Sequence, residues 1–153
     1  MSSSAPRIAS TTRTGGTSAV AERHESGVLD TCAYIDLDQL DPAVLPIVPE
    51  ITAITMAELH QGLAMAKDAI TRTARTEKLG AAIVDFEPLP FDGAAAARYG
   101  TLVALVLEAK PDPRPRRLDL MIAAIASARG LPLYTRNEAD FRGLQGMVEV
   151  VSI

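Results

Sequence analysis

The sequence predicts an α/β domain built on a mainly parallel sheet. Short β-branched or apolar runs alternate with longer stretches in which apolar residues recur at helical spacing. Strands that are joined through helices need crossover connections, which make neighbouring strands parallel. The core must be largely aliphatic, because 48% of the 153 residues are hydrophobic but the chain has three Tyr, three Phe and no Trp. Such a core suits helices packed on a sheet.

The chain is long enough for one domain with a tail. Residues 1–26 are rich in Ser, Thr and Gly and have no apolar periodicity, so we expect a disordered N-terminal tail followed by a domain at 27–153. No apolar stretch follows the first arginines, which argues against a secretory signal. No apolar run approaches the roughly 20 residues that span a bilayer, so we expect no membrane contact.

The first half of the domain is expected to contain two strands and two helices. An apolar run at 27–30 ends in an acid and predicts a strand. A short helix then runs through 34–40 until Asp41 and Pro42 break it. A second β-branched run lies at 51–54, and Thr55 opens the next helix.

The second half continues the alternation. We expect a helix at 69–82, a strand at 83–89 and then a helix that Asp92 caps and that runs to about 109. A stiff basic loop with three prolines follows at 110–117. The chain should end with a helix that stops at Gly130, a strand at 131–135, a turn or short helix at 137–141 and a last strand at 148–153.

Four scattered acids are placed where the predicted elements could bring them together. In an open parallel sheet, ligands bind outside the carboxyl ends of the strands. Asp30 ends the first strand and Asp140 follows the strand that ends at Thr135. Glu58 and Asp119 fall in the predicted first turns of helices that start from the same edge. We therefore expect one acidic crevice.

Each acid also has an ordinary explanation. Thr55 and Glu58 match a capping box, in which Glu58 would bond the backbone amide of Thr55. Asp119 in a first turn is favoured by the helix dipole. Asp30 could cap a turn, and Asp140 could be a solvated surface acid. One acid alone is weak evidence, but four in compatible positions are stronger.

Composition excludes several other chemistries. A single cysteine, Cys32, rules out an internal disulfide and a cysteine-based zinc site and fits a reducing cytosol. With two histidines, any metal would be hard and bound by oxygen. His60 lies two residues from Glu58, which is not the spacing of a zinc protease. A phosphoryl-aspartate enzyme using Asp30 stays an alternative, although Cys32 stands where such a site wants a second acid. The net charge of −4 argues against non-specific coating of nucleic acid.

Four segments, in order and spacing, resemble the motifs of PIN-domain ribonucleases, specifically the VapC toxins of bacterial toxin–antitoxin pairs. They are Val28-Leu-Asp-Thr31, Ile54-Thr-Met-Ala-Glu-Leu-His-Gln-Gly62, Arg117-Leu-Asp-Leu-Met-Ile-Ala-Ala124 and Leu133-Tyr-Thr-Arg-Asn-Glu-Ala-Asp-Phe141. The resemblance covers residues 27–153 and implies a three-layer α/β/α PIN-like fold. It makes Asp30, Glu58 and Asp119 the principal metal-binding acids. Asp140 is then the fourth acid, with Asn137 as a neighbouring ligand or as a side chain that supports the ligands.

The resemblance also implies a function and partners. We expect a Mg²⁺-dependent endoribonuclease (Mn²⁺ is an alternative) that acts in the cytoplasm as a toxin and cuts a specific cellular RNA. Its expected partners are a cognate VapB-type antitoxin and a second copy of the chain in a homodimer. A PIN nuclease of RNA processing and a catalytically silent PIN-like binding module remain alternatives.

Other candidate site residues flank the acids. Arg116 and Arg117 are candidates to hold the RNA backbone, or are solvated loop arginines. Thr31 and Thr135 could orient ligands through their hydroxyls, or satisfy strand ends. Family members usually carry Ser or Asn at the position of Cys32, and we expect this thiol to be structurally buried.

Overall fold

The structure is a computed structural model that describes residues 22–109, 112–113 and 116–153. Within those residues, the strands form one parallel sheet with the order β2-β1-β3-β4. The strands are β1 (Ser26–Leu29), β2 (Val48–Glu50), β3 (Leu133–Thr135) and β4 (Val150–Ser152). The prediction of a parallel sheet is confirmed.

Helices connect the strands and cover the sheet. They are α1 (Thr31–Ile35), α2 (Ala53–Ala64), α3 (Ala69–Asp85), α4 (Gly93–Glu108) and α5 (Arg117–Ala128), with short 3₁₀ helices at Leu37–Gln39, Pro42–Val44 and Glu138–Phe141. Among the described residues, no helix is long and apolar enough to cross a membrane.

The sheet separates two hydrophobic cores. Val28 and Leu133 are register partners and point into a core that α4 and α5 cover. The next pair along the strands, Leu29 and Tyr134, points to the opposite face, which α1, α2 and α3 cover. Successive residues of a strand face opposite sides of a sheet, so this alternation produces the expected three-layer α/β/α arrangement.

Two helix ends follow the local sequence as predicted. The Asp92 carboxylate accepts a hydrogen bond from the Ala95 amide (2.9 Å) and caps α4. Gly130 has a φ of 65° just beyond α5. The Leu131 amide donates to the Ala126 carbonyl (3.0 Å) and the Gly130 amide to the Ser127 carbonyl (3.2 Å), which is a Schellman motif.

Other predicted boundaries were wrong. The run at 83–89 is not a strand: α3 continues to Asp85, and in this segment Leu89 forms an isolated bridge with Thr52. The second strand lies at Val48–Glu50 rather than at 51–54, because Ala53 already begins α2. The predicted helix at 34–40 is divided between α1 and a separate 3₁₀ turn.

The two segments predicted to lack regular structure are described only in part. Residues 1–21 lie outside the described residues. Arg23 donates to the Leu45 carbonyl (2.9 Å), His24 bonds the Tyr134 hydroxyl (2.7 Å) and Ser26 begins β1, so folded structure starts before residue 27. Of the basic loop, residues 110–111 and 114–115 are not described, and Arg117 already belongs to α5.

Candidate active site

Asp30 lies at the carboxyl end of β1, and both of its carboxylate oxygens have a donor. Oδ1 accepts from the Ala33 amide (2.7 Å), so Asp30 caps α1 as well. Oδ2 accepts from the hydroxyl of Thr135, the last residue of β3. Burial raises the pKa of Asp30, and these two hydrogen bonds oppose the rise. The protein therefore fixes the orientation of a carboxylate that is 4% exposed.

Asp140 is connected to Asp30 through a short series of hydrogen bonds. The backbone amide of Asn137 donates to the Thr135 hydroxyl oxygen (2.9 Å). The Asn137 side chain donates through Nδ2 to Oδ2 of Asp140 (2.7 Å). Asp140 is half-buried and Asn137 is exposed. The predicted fourth acid and its neighbour thus lie together, with Asn137 bonded to Asp140.

Glu58 lies in the second turn of α2, so its assignment to a first turn and to a capping box was wrong. Thr52 caps this helix by accepting from the Thr55 amide (3.2 Å). The Glu58 carboxylate instead accepts a hydrogen bond from the Thr31 hydroxyl. Burial raises the pKa of Glu58, the Thr31 bond lowers it and the Asp30 charge raises it. Glu58 is therefore free of a capping role and belongs to the crevice.

Asp119 is the third residue of α5, in its first turn, as predicted. Its pKa is raised to about 6, first by burial and then by the charges of Asp140, Glu58 and Asp30, while Arg116 opposes the rise. Charges act on one another this way only at short range or through poorly screened space. Together with the hydrogen bonds that join Asp30 to Asp140 through Thr135 and Asn137, this places the four predicted acids around one crevice.

The donor set fits a hard divalent cation. All four acids offer oxygen ligands, and a bound cation would relieve the repulsion between their negative charges. Among the described residues, no three acidic, histidine or cysteine side chains are close enough to ligate one ion together. Mg²⁺ commonly binds one or two carboxylates directly and keeps several waters. The arrangement thus fits a partly hydrated ion rather than one enclosed by protein ligands.

The two candidate arginines differ. Arg116 is half-buried, and its Nη1 donates to the Asp140 carbonyl (2.7 Å) and, over a longer distance, to the Ala139 carbonyl (3.4 Å). It is not a solvated loop arginine. Arg117, the first residue of α5, is exposed. Of these two arginines, Arg117 is the one that is exposed to solvent.

Two residues differ from expectation. Cys32 is exposed, so the expected structural burial was wrong. Thr55 was missed: it is fully buried, and its hydroxyl oxygen lies 3.2 Å from that of Thr31 and 3.4 Å from that of Thr52. Three threonines spaced along two helix starts are a weak pattern in sequence, because their hydroxyls meet only when α1 and α2 pack together.

The fold and the crevice define a class: a three-layer PIN-type domain with acids at the carboxyl edge of its parallel sheet. No protein-family model matches the chain. It is 37% identical over 128 residues to Ribonuclease VapC5 of Mycobacterium tuberculosis, covering 82% of this chain and 92% of that protein. The chain belongs to the VapC ribonuclease family.

Solved structures agree. The crystal structure of VapBC-5 from M. tuberculosis, a toxin–antitoxin system, contains a chain that is 36% identical; the match has a TM-score of 0.74 and covers 84% of this chain and 99% of that one. FitAcB from Neisseria gonorrhoeae contains a chain that is 26% identical, with a TM-score of 0.62 and coverage of 82% and 96%.

Proposed function

We propose that the protein is a Mg²⁺-dependent endoribonuclease and the toxin of a toxin–antitoxin pair, which hydrolyses a specific cellular RNA and so inhibits translation. The observation that carries this proposal is the crevice in which the charges of Asp140, Glu58 and Asp30 all act on Asp119, in a chain 37% identical to a VapC ribonuclease. The presence of all four acids argues against a silent binding module.

In this mechanism Asp30, Glu58 and Asp119 would hold the cation, one or two of them directly and the rest through its bound water, with Asp140 and its neighbour Asn137 at the fourth position. A bound cation supplies charge neutralisation at the phosphate and lowers the pKa of an attacking water. The chain's own contribution is to orient the ligands. The Thr135 hydroxyl and the Ala33 amide hold Asp30, and the Thr31 hydroxyl holds Glu58. Cleavage leaves a 5′-phosphate and a 3′-hydroxyl.

RNA contacts are proposed for the basic side chains beside the crevice. Arg117 is exposed two residues before Asp119, where it can meet a phosphate. The loop at 110–117 is the proposed specificity element. Sequencing RNA 5′ ends after induced expression would identify the RNA and the cleavage position.

The proposed partners are a VapB-type antitoxin and a second copy of the chain, since the similar solved chains come from toxin–antitoxin complexes. The long helix α4 offers limited support for an interface. Leu102 and Val106 are buried in the monomer core, whereas Leu107 is 56% exposed. Deep burial therefore explains much of the apolar character of α4.

The test is cleavage of RNA by protein free of contaminating nuclease. Asp119→Asn and excess EDTA should each abolish cleavage, because both remove cation binding at the crevice. Asp85→Asn, the same charge change at an exposed position on α3, should cleave like wild type. Undiminished cleavage by Asp119→Asn, or in EDTA, would contradict the proposal.

A further inference from the structure

We infer that Arg116 is a positioning residue, which holds the turn carrying Asp140 against the start of α5 so that Asp140 and Asp119 face the same cation. The inference rests on the proposed function. It replaces the role in RNA binding that the sequence alone suggested for this arginine.

Arg116 connects two parts of the chain that each carry an acid. It is the residue before α5, three positions ahead of Asp119. Its guanidinium reaches 24 residues along the chain to the Asp140 carbonyl (2.7 Å) and also approaches that of Ala139 (3.4 Å). Hydrogen bonds from a guanidinium are charge-assisted and directional. The bond therefore ties the backbone of Asp140 to the helix that presents Asp119.

Asp140 has few other constraints on its position. It lies on the four-residue 3₁₀ helix Glu138–Phe141, and such helices are short and have poor hydrogen-bond geometry. The side chain of Asn137, which bonds the Asp140 carboxylate, is itself exposed. Phe141 is fully buried in the core that α5 covers. Burial of Phe141 thus holds the turn against the core. The bond from Arg116 then fixes the orientation of Asp140, the residue before Phe141.

The bond also completes a connected series across the crevice. Arg116 bonds the Asp140 backbone, and the Asp140 carboxylate accepts from the Asn137 side chain. The backbone amide of Asn137 donates to the Thr135 hydroxyl oxygen, and the Thr135 hydroxyl donates to Asp30. A displacement of the turn would therefore disturb two acids. Outer partners that orient metal ligands typically affect metal affinity about 10–100-fold.

Two rival roles predict different results. If Arg116 acted only through its charge, its removal would strengthen cation binding, because a positive charge beside the acids would be lost. If it bound an RNA phosphate, its removal would raise KM and reduce the salt dependence of RNA binding by about 0.7 in logarithmic slope per contact, with metal affinity unchanged. Positioning predicts weaker metal binding in the absence of RNA.

The experiment measures Mg²⁺ and Mn²⁺ affinity of the full-length protein by calorimetry, without RNA. Arg116→Ala should weaken binding by about tenfold, at the lower end of the range for outer partners of metal ligands. Arg116→Lys keeps the charge and one donor and should recover part of the loss. Arg117→Ala removes the same charge one residue away and should not weaken metal binding. Thermal unfolding of each variant identifies any loss of the fold, and Arg116→Lys carries the test if the alanine variant does not fold.

A double-mutant cycle with Asp140→Asn tests whether Arg116 acts through Asp140. The Arg116→Ala effect should shrink to less than about twofold in that background, since residues acting through one contact are not additive. Additive effects, or metal binding that is unchanged or tighter in Arg116→Ala, would overturn the inference. These outcomes leave the proposed nuclease activity untouched, because that is judged by wild-type cleavage and its loss in Asp119→Asn.

Discussion

The Thr135 hydroxyl donates a hydrogen bond to Oδ2 of Asp30, a residue 105 positions away in the chain. The two residues end the neighbouring strands β3 and β1, which pair in parallel. Both are buried, at 0% and 4% exposure. Burying a charged carboxylate without a hydrogen-bond donor is costly. The pairing of β1 with β3 supplies that donor to Asp30 through the Thr135 hydroxyl.

Thr135→Val should destabilise the protein by about 1–3 kcal/mol, because a buried carboxylate oxygen loses its donor while the side-chain shape is kept. The pKa of Asp30 should also rise further, since this bond lowers it. Urea denaturation measures the first effect and an NMR titration the second. Thr76→Val is the matched control: that hydroxyl bonds a carbonyl on the exposed face of α3, and the change should stay within about 0.5 kcal/mol. Equal losses in the two variants would contradict the prediction.

The metal-free protein should lose stability as the pH rises from about 4 to about 6. Asp119 has a folded pKa of about 6 against an ordinary value of 3.8, so in this window the folded state binds more protons than the unfolded state. The free energy of unfolding then falls with pH, and the loss is complete above the folded pKa. Asp30 and Glu58 act in the same direction.

Asp119→Asn isolates the contribution of Asp119. In EDTA at pH 7.5 the variant should be more stable than wild type by on the order of 1 kcal/mol, after allowance for solvent screening of a partly exposed group. The difference should vanish well below pH 3.8, where the Asp119 carboxyl is protonated in both the folded and the unfolded state. Denaturation curves at the two pH values measure this difference in the free energy of unfolding. A difference that did not change with pH would show that folding does not raise the pKa of Asp119.

Thr52→Ala should cost about 1 kcal/mol, because it removes the cap of α2. Glu58→Ala should leave stability nearly unchanged and abolish cleavage, since Glu58 bonds Thr31 rather than its own helix end. Chemical denaturation of both variants checks this. A loss for Glu58→Ala as large as for Thr52→Ala would restore the capping-box interpretation.

Gly27→Ala should destabilise the protein by about 1–3 kcal/mol through overpacking. A Cβ at Gly27 would lie 2.5 Å from Cε2 of Tyr134 and 3.2 Å from Cβ of Pro46. Gly100→Ala, within α4 and with nothing within 4 Å of the new atom, should instead gain roughly 0.5–1 kcal/mol from helix entropy. Thermal unfolding of the two variants should therefore move in opposite directions.

Local sequence predicted those features whose cause is local. Asp92 begins α4 and Gly130 ends α5 through bonds to residues three positions away, and both were found as expected. The strand predicted at 83–89 failed because apolar alternation does not show which side chains are buried. Ile83 and Val84 are 55% and 83% exposed on the last turns of α3. The exposed apolar residues of α3 thus produced an alternating pattern that is typical of a strand.

The sequence by itself determined the α/β class, the family resemblance and the four acids, because motif order, periodicity and residue type are written along the chain. The tertiary structure decided which partner each polar group takes. Glu58 bonds Thr31, Thr135 bonds Asp30 and Arg116 bonds the backbone of Asp140, each across more than twenty residues. Such pairings depend on how strands and helices pack, and a hydroxyl or guanidinium has several possible partners until packing removes the others.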